Sequence, residues 1–185
     1  MHKLAVIVPS LRKNSINRRL ADALAALGRE QFSFESVRLE GVPLFNEDME
    51  NDLPAEVEEM KKTVAAADGV LIVTPEYNRS FPAVLKNALD WGSRPYGKGV
   101  WTGKCMASVG MSPGAVGTAV CQSQLRSLLG FLGAVQMTRP EIYLQYTANF
   151  FAADGGIAAE RTRTFLASFL ADFAAWISGN TLSGK

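Results

Sequence analysis

Three short apolar runs constrain the fold more than any other feature: LAVIV (residues 4–8), GVLIV (69–73) and CMASVGM (105–111). A strand with one wet face alternates apolar and polar side chains, and these runs do not. Such strands are buried on both faces, so a sheet built from them needs cover on both sides. The segments between the runs have the length and pattern to supply it.

Ile16, Leu20, Ala23, Leu24 and Leu27 recur at helical spacing, with Gly28 as a C-cap. Pro54 sits in the first turn of an amphipathic helix, AEVEEMKKTVAAA, and Pro82 opens another that runs through Trp91. A fourth helix is predicted over about residues 116–132 and a fifth over 158–177. FSFESVRL (32–39) alternates and is rich in strand formers, and EIYLQ (141–145) reads as the last strand. Strand and helix therefore alternate five times. This predicts an α/β three-layer sandwich, a five-stranded parallel sheet in the flavodoxin-like order 2-1-3-4-5. Residues 1–178 are expected to form a single domain, and 179–185 a flexible tail.

Composition removes several classes of function. The net charge of +1 provides no strong field for nucleic acid or an anionic membrane, so neither is expected as a partner. The only histidine is His2, which argues against a Ser-His-Asp or Cys-His nucleophile and against a histidine-ligated zinc site. Cys105 and Cys121 lack metal-ligand spacing, and no secretory signal is seen, so reduced thiols in the cytoplasm are expected.

In a sheet of this order, ligands bind at the carboxyl ends of the strands, beside the point where the strand order reverses. Three loops meet there. The first, PSLRKNSIN (9–17), is neither G-x-G-x-x-G nor a P-loop. It offers Ser10, Asn14, Ser15 and Asn17 with the Arg12 guanidinium at the start of a helix, a donor set suited to a terminal monophosphate. A plain solvated turn with Ser15 as N-cap accounts for the same residues. The second loop, TPEYNRSFP (74–82), is bracketed by prolines. Pro75 ends a strand and Pro82 starts a helix, so Glu76 to Phe81 reads as a rigid shelf whose backbone meets the edge of a planar ring. Lys86 and Asp90 on the following helix form an i,i+4 surface pair. The third loop, GMSPGAVGT (110–118), brings Ser112 as a donor to a ring carbonyl, with Gly114 and Gly117 permitting close backbone approach; an ordinary turn fits it equally well.

Taken together, PSLRKNSINRRLA, TPEYNRSFPAVLKNALDW and GMSPGAVG resemble the NAD(P)H-dependent FMN reductase family, in its chromate/quinone reductase and azoreductase-like branch. The resemblance implies FMN as cofactor and NAD(P)H as co-substrate. It implies that Ser10, Arg12, Ser15, Ile16 and Asn17 hold the phosphate, that Pro75, Glu76, Tyr77 and Asn78 line the isoalloxazine edge, and that Ser112 and Gly114 approach the ring. Two departures are visible: Pro9 stands where family members often carry Gly, and Thr118 follows Gly117 where a glycine pair is usual.

The implied chemistry needs no protein acid, base or nucleophile, because the flavin takes the hydride and the protein supplies binding and orientation. The acceptor would be a quinone, azo compound, chromate or free flavin, reduced in a ping-pong cycle. One rival is a flavodoxin-type electron carrier without its own NAD(P)H oxidation; a nearly neutral chain argues against its charged docking face. Another is a flavin-binding regulatory module with little turnover. The resemblance also implies a homodimer or homotetramer. Apolar residues on two helices (Leu125, Leu128, Leu129, Phe131 and Leu132; Phe165, Phe169, Phe173 and Trp176) fit either a subunit interface or a deep core. The same two readings hold for Trp91, Tyr96 and Trp101.

Overall fold

The computed structural model describes residues 1–180. Its central strands are β1 (His2–Ile7), β3 (Gly69–Thr74) and β4 (Cys105–Ser112), and β2 (Phe32–Ser36) lies outside β1. All pairings within the sheet are parallel, and with β5 (Val135–Gln136) outside β4 the order is β2-β1-β3-β4-β5, as the sequence predicts. The apolar runs face two cores. Leu4, Val6, Val8, Leu71 and Val73 point to one side, Ala5, Ile7, Val70 and Ile72 to the other. That double burial is why the runs do not alternate.

The first core is closed by α1 (Ile16–Leu27) and α5 (Glu160–Asn180), through Leu20, Leu24, Phe169, Phe173 and Ile177. The second is closed by α2 (Ala55–Ala65), α3 (Ala83–Gly92) and α4 (Ala119–Phe131), through Met60, Leu85, Leu89, Leu125 and Leu129. Pro54 and Pro82 each occupy the N-cap, one position before the first helical residue. Gly28 caps α1 as expected, its N–H donating to the Leu24 carbonyl. Lys86 and Asp90 pair at 2.7 Å on α3.

The sheet edge departs from expectation. In place of one strand at 141–145 there are two short ones, β5 (Val135–Gln136) on the start of β4 and β6 (Tyr143–Gln145) on its end, giving six strands in five positions. Pro140 lies between them and has no N–H to continue a ladder. Segments of two and three residues are also too short to carry a periodic signal. α4 starts later than predicted, because Gly117 adopts φ +60 and breaks the helical path before it. α5 runs on to Asn180, so the first two residues of the expected tail are helical. The rest of that segment lies outside the described residues.

Trp91 and Trp101 are core residues, each donating its indole N–H to a carbonyl, Pro43 at 2.8 Å and Leu89 at 2.9 Å. Tyr96, by contrast, is 93% exposed, and Trp101 borders the groove beside it. Phe169 and Phe173 are buried, whereas Phe131 is 87% exposed.

Gly110 is the tightest point of the rim. A Cβ there would lie 2.2 Å from the Thr74 carbonyl oxygen and 2.4 Å from Thr118 Oγ1. Neither the end of β3 nor the start of α4 can yield without losing pairing. Gly110→Ala is expected to cost about 2 kcal/mol as overpacking, which lowers Tm by roughly 4–8 °C in a chain of this size; thermal unfolding of the two proteins checks this.

Candidate active site

The first loop begins with a tight reversal. Ser10 N–H donates to the Val8 carbonyl at 2.8 Å across Pro9. This three-residue turn suits the φ that proline enforces, so Pro9 has a local role where the family often has Gly. Ser10 is buried, with its Oγ 3.4 Å from the Tyr77 hydroxyl. Arg12 bends onto the Asn14 carbonyl, donating from Nε at 3.1 Å and Nη2 at 2.5 Å. Ser15 is the N-cap of α1, its Oγ accepting from Arg18 N–H at 3.2 Å. Ile16 and Asn17 then head the helix with N–H groups that have no intrahelical acceptor. The Asn17 side chain is spent elsewhere: it donates to the Met111 carbonyl and accepts from Met111 N–H, both at 2.9 Å. It stitches the first loop to β4, leaving only its backbone for a ligand.

In the second loop, Tyr77 and Ser80 exchange two backbone hydrogen bonds of 2.9 Å around Asn78 (φ 50) and Arg79 (φ 64). Two consecutive left-handed residues make a mirror-image hairpin turn. Asn tolerates this conformation; Arg adopts it seldom, and sequence reasoning did not anticipate it. Gln124 of α4 holds the turn, donating to the Arg79 carbonyl at 2.9 Å and accepting from Ser80 Oγ at 2.8 Å.

Glu76 has a definite structural task. Its side chain is 7% exposed. Oε2 accepts from the N–H groups of Val120 (3.1 Å) and Cys121 (3.0 Å) at the start of α4, and Oε1 lies 3.3 Å from the Arg79 guanidinium. Thr118, at the N-cap position, gives no side-chain cap. Glu76 thus caps α4 from another loop, which satisfies two orphan donors. The Tyr77 peptide groups are paired with Ser80 and the Pro75 carbonyl accepts from Thr74 Oγ1, so the Glu76 peptide groups are the ones left to face a ligand.

The third loop is self-tied. The Ser112 hydroxyl donates to the Gly117 carbonyl at 2.6 Å, so its proton is committed within the loop and not to a ring carbonyl as the sequence reading had it. Thr118, where a second glycine is usual, is fully buried and accepts from Gln122 Nε2 at 2.8 Å.

These loops enclose one cleft of about 200 Å³ lined by Ser10, Arg12, Ser15, Ile16, Asn17, Pro75, Glu76, Tyr77 and Ser112. Asn78 and Gly114 stand outside it, on an adjoining open shelf with Arg79 and Val116. Sequence reasoning missed Met111, Pro113 and Tyr146, which also line the cleft. Met111 and Pro113 lie inside the third loop and were available from its position. Tyr146 follows β6, its N–H donating to the Ser112 carbonyl at 2.8 Å, and was hidden because no fourth loop was drawn on the rim.

The donor set is hydroxyl, guanidinium and helix-start amides at one end, with Tyr77, Met111 and Tyr146 providing apolar surface for a planar ring. These residues fit FMN. Among the described residues no group of His, Cys, Asp or Glu could hold a metal ion, and no helix is long and apolar enough to cross a membrane. Cys121 lies beneath the second loop with Sγ 3.6 Å from the Pro75 carbonyl oxygen. Burial, reinforced by the Glu76 carboxylate and opposed by a hydrogen bond to Thr74, pushes its thiol up to about 12, so it supplies no thiolate nucleophile.

Comparison with known proteins agrees with this geometry. Residues 2–149 match the family model for NADPH-dependent FMN reductase. A 2-hydroxy-1,4-benzoquinone reductase from a Burkholderia species is 49% identical over 175 residues, covering 95% of this chain and 96% of that protein. A quinone reductase from Pseudomonas putida is 43% identical over 181 residues, with 97% of each covered. The crystallised flavoenzyme FerB of Paracoccus denitrificans, an NAD(P)H:(acceptor) oxidoreductase, superposes with a TM-score of 0.94 at 40% identity, covering 97% of this chain and 99% of that one. The chain belongs to the NADPH-dependent FMN reductase family. It is a flavodoxin-like oxidoreductase whose cofactor is FMN and whose co-substrate is NAD(P)H.

Cys121 gives a pH test of the packing under the site. An unfolded thiol titrates near its ordinary value of 9.0, and in the folded protein it is pushed up to about 12. Between these the folded state retains a proton that the unfolded state has lost, so this group's contribution to stability falls as pH rises from about 9 toward 12. In urea unfolding at pH 8 and pH 10, the advantage of wild type over Cys121→Ala is expected to shrink at the higher pH.

Proposed function

We propose that this protein reduces quinone-type acceptors with NAD(P)H, using FMN held with its phosphate at the start of α1 and its ring edge along residues 75–78. One observation carries the reading: nine residues chosen from sequence for that cofactor lie on a single cleft at the carboxyl ends of the strands. The names of two relatives, a 2-hydroxy-1,4-benzoquinone reductase and a quinone reductase, support the acceptor class. Bound there, the flavin supplies hydride uptake from the nicotinamide and two-electron delivery to the acceptor.

The chain's own residues bind and orient. Ser10, the amides of Ile16 and Asn17, and the dipole of α1 favour a phosphate dianion. Arg12 meets it preorganised, because the Asn14 carbonyl already holds the guanidinium. Glu76 presents its backbone to the ring edge between Pro75 and Tyr77, which line the same wall, with Asn78 and Gly114 on the shelf beside them. Tyr77, half exposed, lines the cleft, where its ring would lie against the flavin.

We also infer a homodimer or homotetramer. Tyr96 and Phe131, exposed at 93% and 87%, line one open groove with Trp101 and Leu132, an apolar surface of the kind that subunits cover. The two unpaired cysteines fit a cytoplasmic setting.

The purified protein is expected to show a flavin absorption spectrum that bleaches on anaerobic addition of NADH or NADPH. Double-reciprocal plots against nucleotide at several quinone concentrations are expected to be parallel. Arg12→Ala and Ser10→Ala should each weaken FMN binding about tenfold, the loss of one hydrogen bond to a charged group. A flavin that stays oxidised would point instead to an electron carrier, and a protein that takes up no FMN would end the assignment. For the oligomer, light scattering after size exclusion is expected to show a multiple of 20.0 kDa for wild type and a smaller species for Phe131→Lys.

A further inference from the structure

The strongest unexplained feature of the site is a carboxylate where an FMN site would gain nothing from negative charge. Glu76 is nearly buried in the cleft wall, yet both its oxygens are occupied by protein donors. We propose that Glu76 is a positioning residue: its carboxylate, by capping α4 from the second loop, sets the gap between the second and third loops and so the ring-edge half of the cleft. The inference rests on the FMN reading of that cleft.

The argument is one of connectivity. The third loop runs directly into α4, so wherever the first turn of α4 sits, Pro113 and Gly117 follow. That first turn has no cap of its own, since Thr118 makes no side-chain cap bond. Its Val120 and Cys121 amides are satisfied by Oε2 of Glu76, at 3.1 and 3.0 Å. Gln124, one turn on, makes the second tie, to Ser80 and the Arg79 carbonyl. The two ties hold the second loop flat along α4. The first loop is referenced to β4 separately, by the Asn17–Met111 pair. Glu76, with Gln124 behind it, thus ties the ring-edge loop to α4 and so to the third loop that runs into that helix.

The same contacts dispose of the charge. The helix start and the Arg79 guanidinium at 3.3 Å both oppose it, so the wall beside the ring edge carries a compensated carboxylate. A side chain that keeps one acceptor oxygen, such as Gln, retains the cap geometry without the charge, whereas Ala leaves two amides unpaired.

The test uses full-length wild type, Glu76→Ala, Glu76→Gln and Gln124→Ala. Amide hydrogen exchange of the flavin-free proteins is read at Val120 and Cys121, and FMN affinity by fluorescence quenching. Glu76→Ala is expected to raise exchange at those amides at least tenfold and to weaken FMN binding about tenfold. Glu76→Gln should restore both to within about threefold of wild type, and Gln124→Ala should give a smaller loss of the same kind even if Glu76→Ala folds poorly. If Glu76→Ala and Glu76→Gln lose FMN equally while exchange is unchanged, the carboxylate is a direct ligand and the proposal fails. If exchange rises and FMN affinity stays at the wild-type value, the cap is only structural and the proposal fails. Wild type that binds no FMN overturns the functional reading and this one together, an outcome distinct from both.

Discussion

The parallel pairing of β3 with β4 is the constraint on which the site depends. Their register holds from Gly69 opposite Cys105 to Thr74 opposite Gly110, where β3 stops while β4 runs two residues further, to Ser112. Every residue of β3 is buried, which leaves no freedom to slide the pair without exposing one core or the other. Gly110 lets the end of β3 and the start of α4 close on β4. Because β3 stops first, Pro75 leaves the sheet where Met111 is still paired to Leu144, and residues of the first loop line the same cleft as both.

Around that rim, most polar side chains are used to build the cleft. Asn17 joins the first loop to β4, Ser15 and Glu76 cap helices, and Ser112 closes its own loop. What remains for a ligand is mainly backbone, the Ser10 hydroxyl, one guanidinium and two tyrosines. This division explains how an oxidoreductase can work with a single histidine and an inert buried cysteine. The redox chemistry belongs to the cofactor, and the chain's contribution is a rigid mould for it.

All the residues that line the cleft fall within the span that the family model matches. The family model ends near residue 149, just past Tyr146, the last residue to line the cleft. The α5 helix lies beyond that limit and serves the first core, where Phe169 and Phe173 stack at 6.4 Å. Helix α5 thus stabilises the sheet without lining the cleft, whereas α1 does both.

Much of the fold was legible because burial on two faces leaves its mark locally. Residues 4–8 and 69–73 carry it in consecutive apolar side chains, and the α1 and α5 stripes carry it at helical spacing. The rim position of the three loops followed from strand order alone. The sequence could not reveal a fifth strand split in two, since pieces of two and three residues carry no period. Nor could it separate Trp91 and Trp101 from Tyr96, because an aromatic ring is core or surface according to what packs on it. Ser15, Glu76, Asn17 and Ser112 line the cleft, but their side chains bond within the protein. By itself, the sequence determined the parallel sheet, the loops at its rim and a histidine count too low for a Ser-His-Asp arrangement, since these are matters of local pattern and composition. The tertiary structure alone decided which polar groups remain for a ligand, because a hydrogen bond such as Glu76 to Val120 or Asn17 to Met111 joins residues 44 and 94 positions apart.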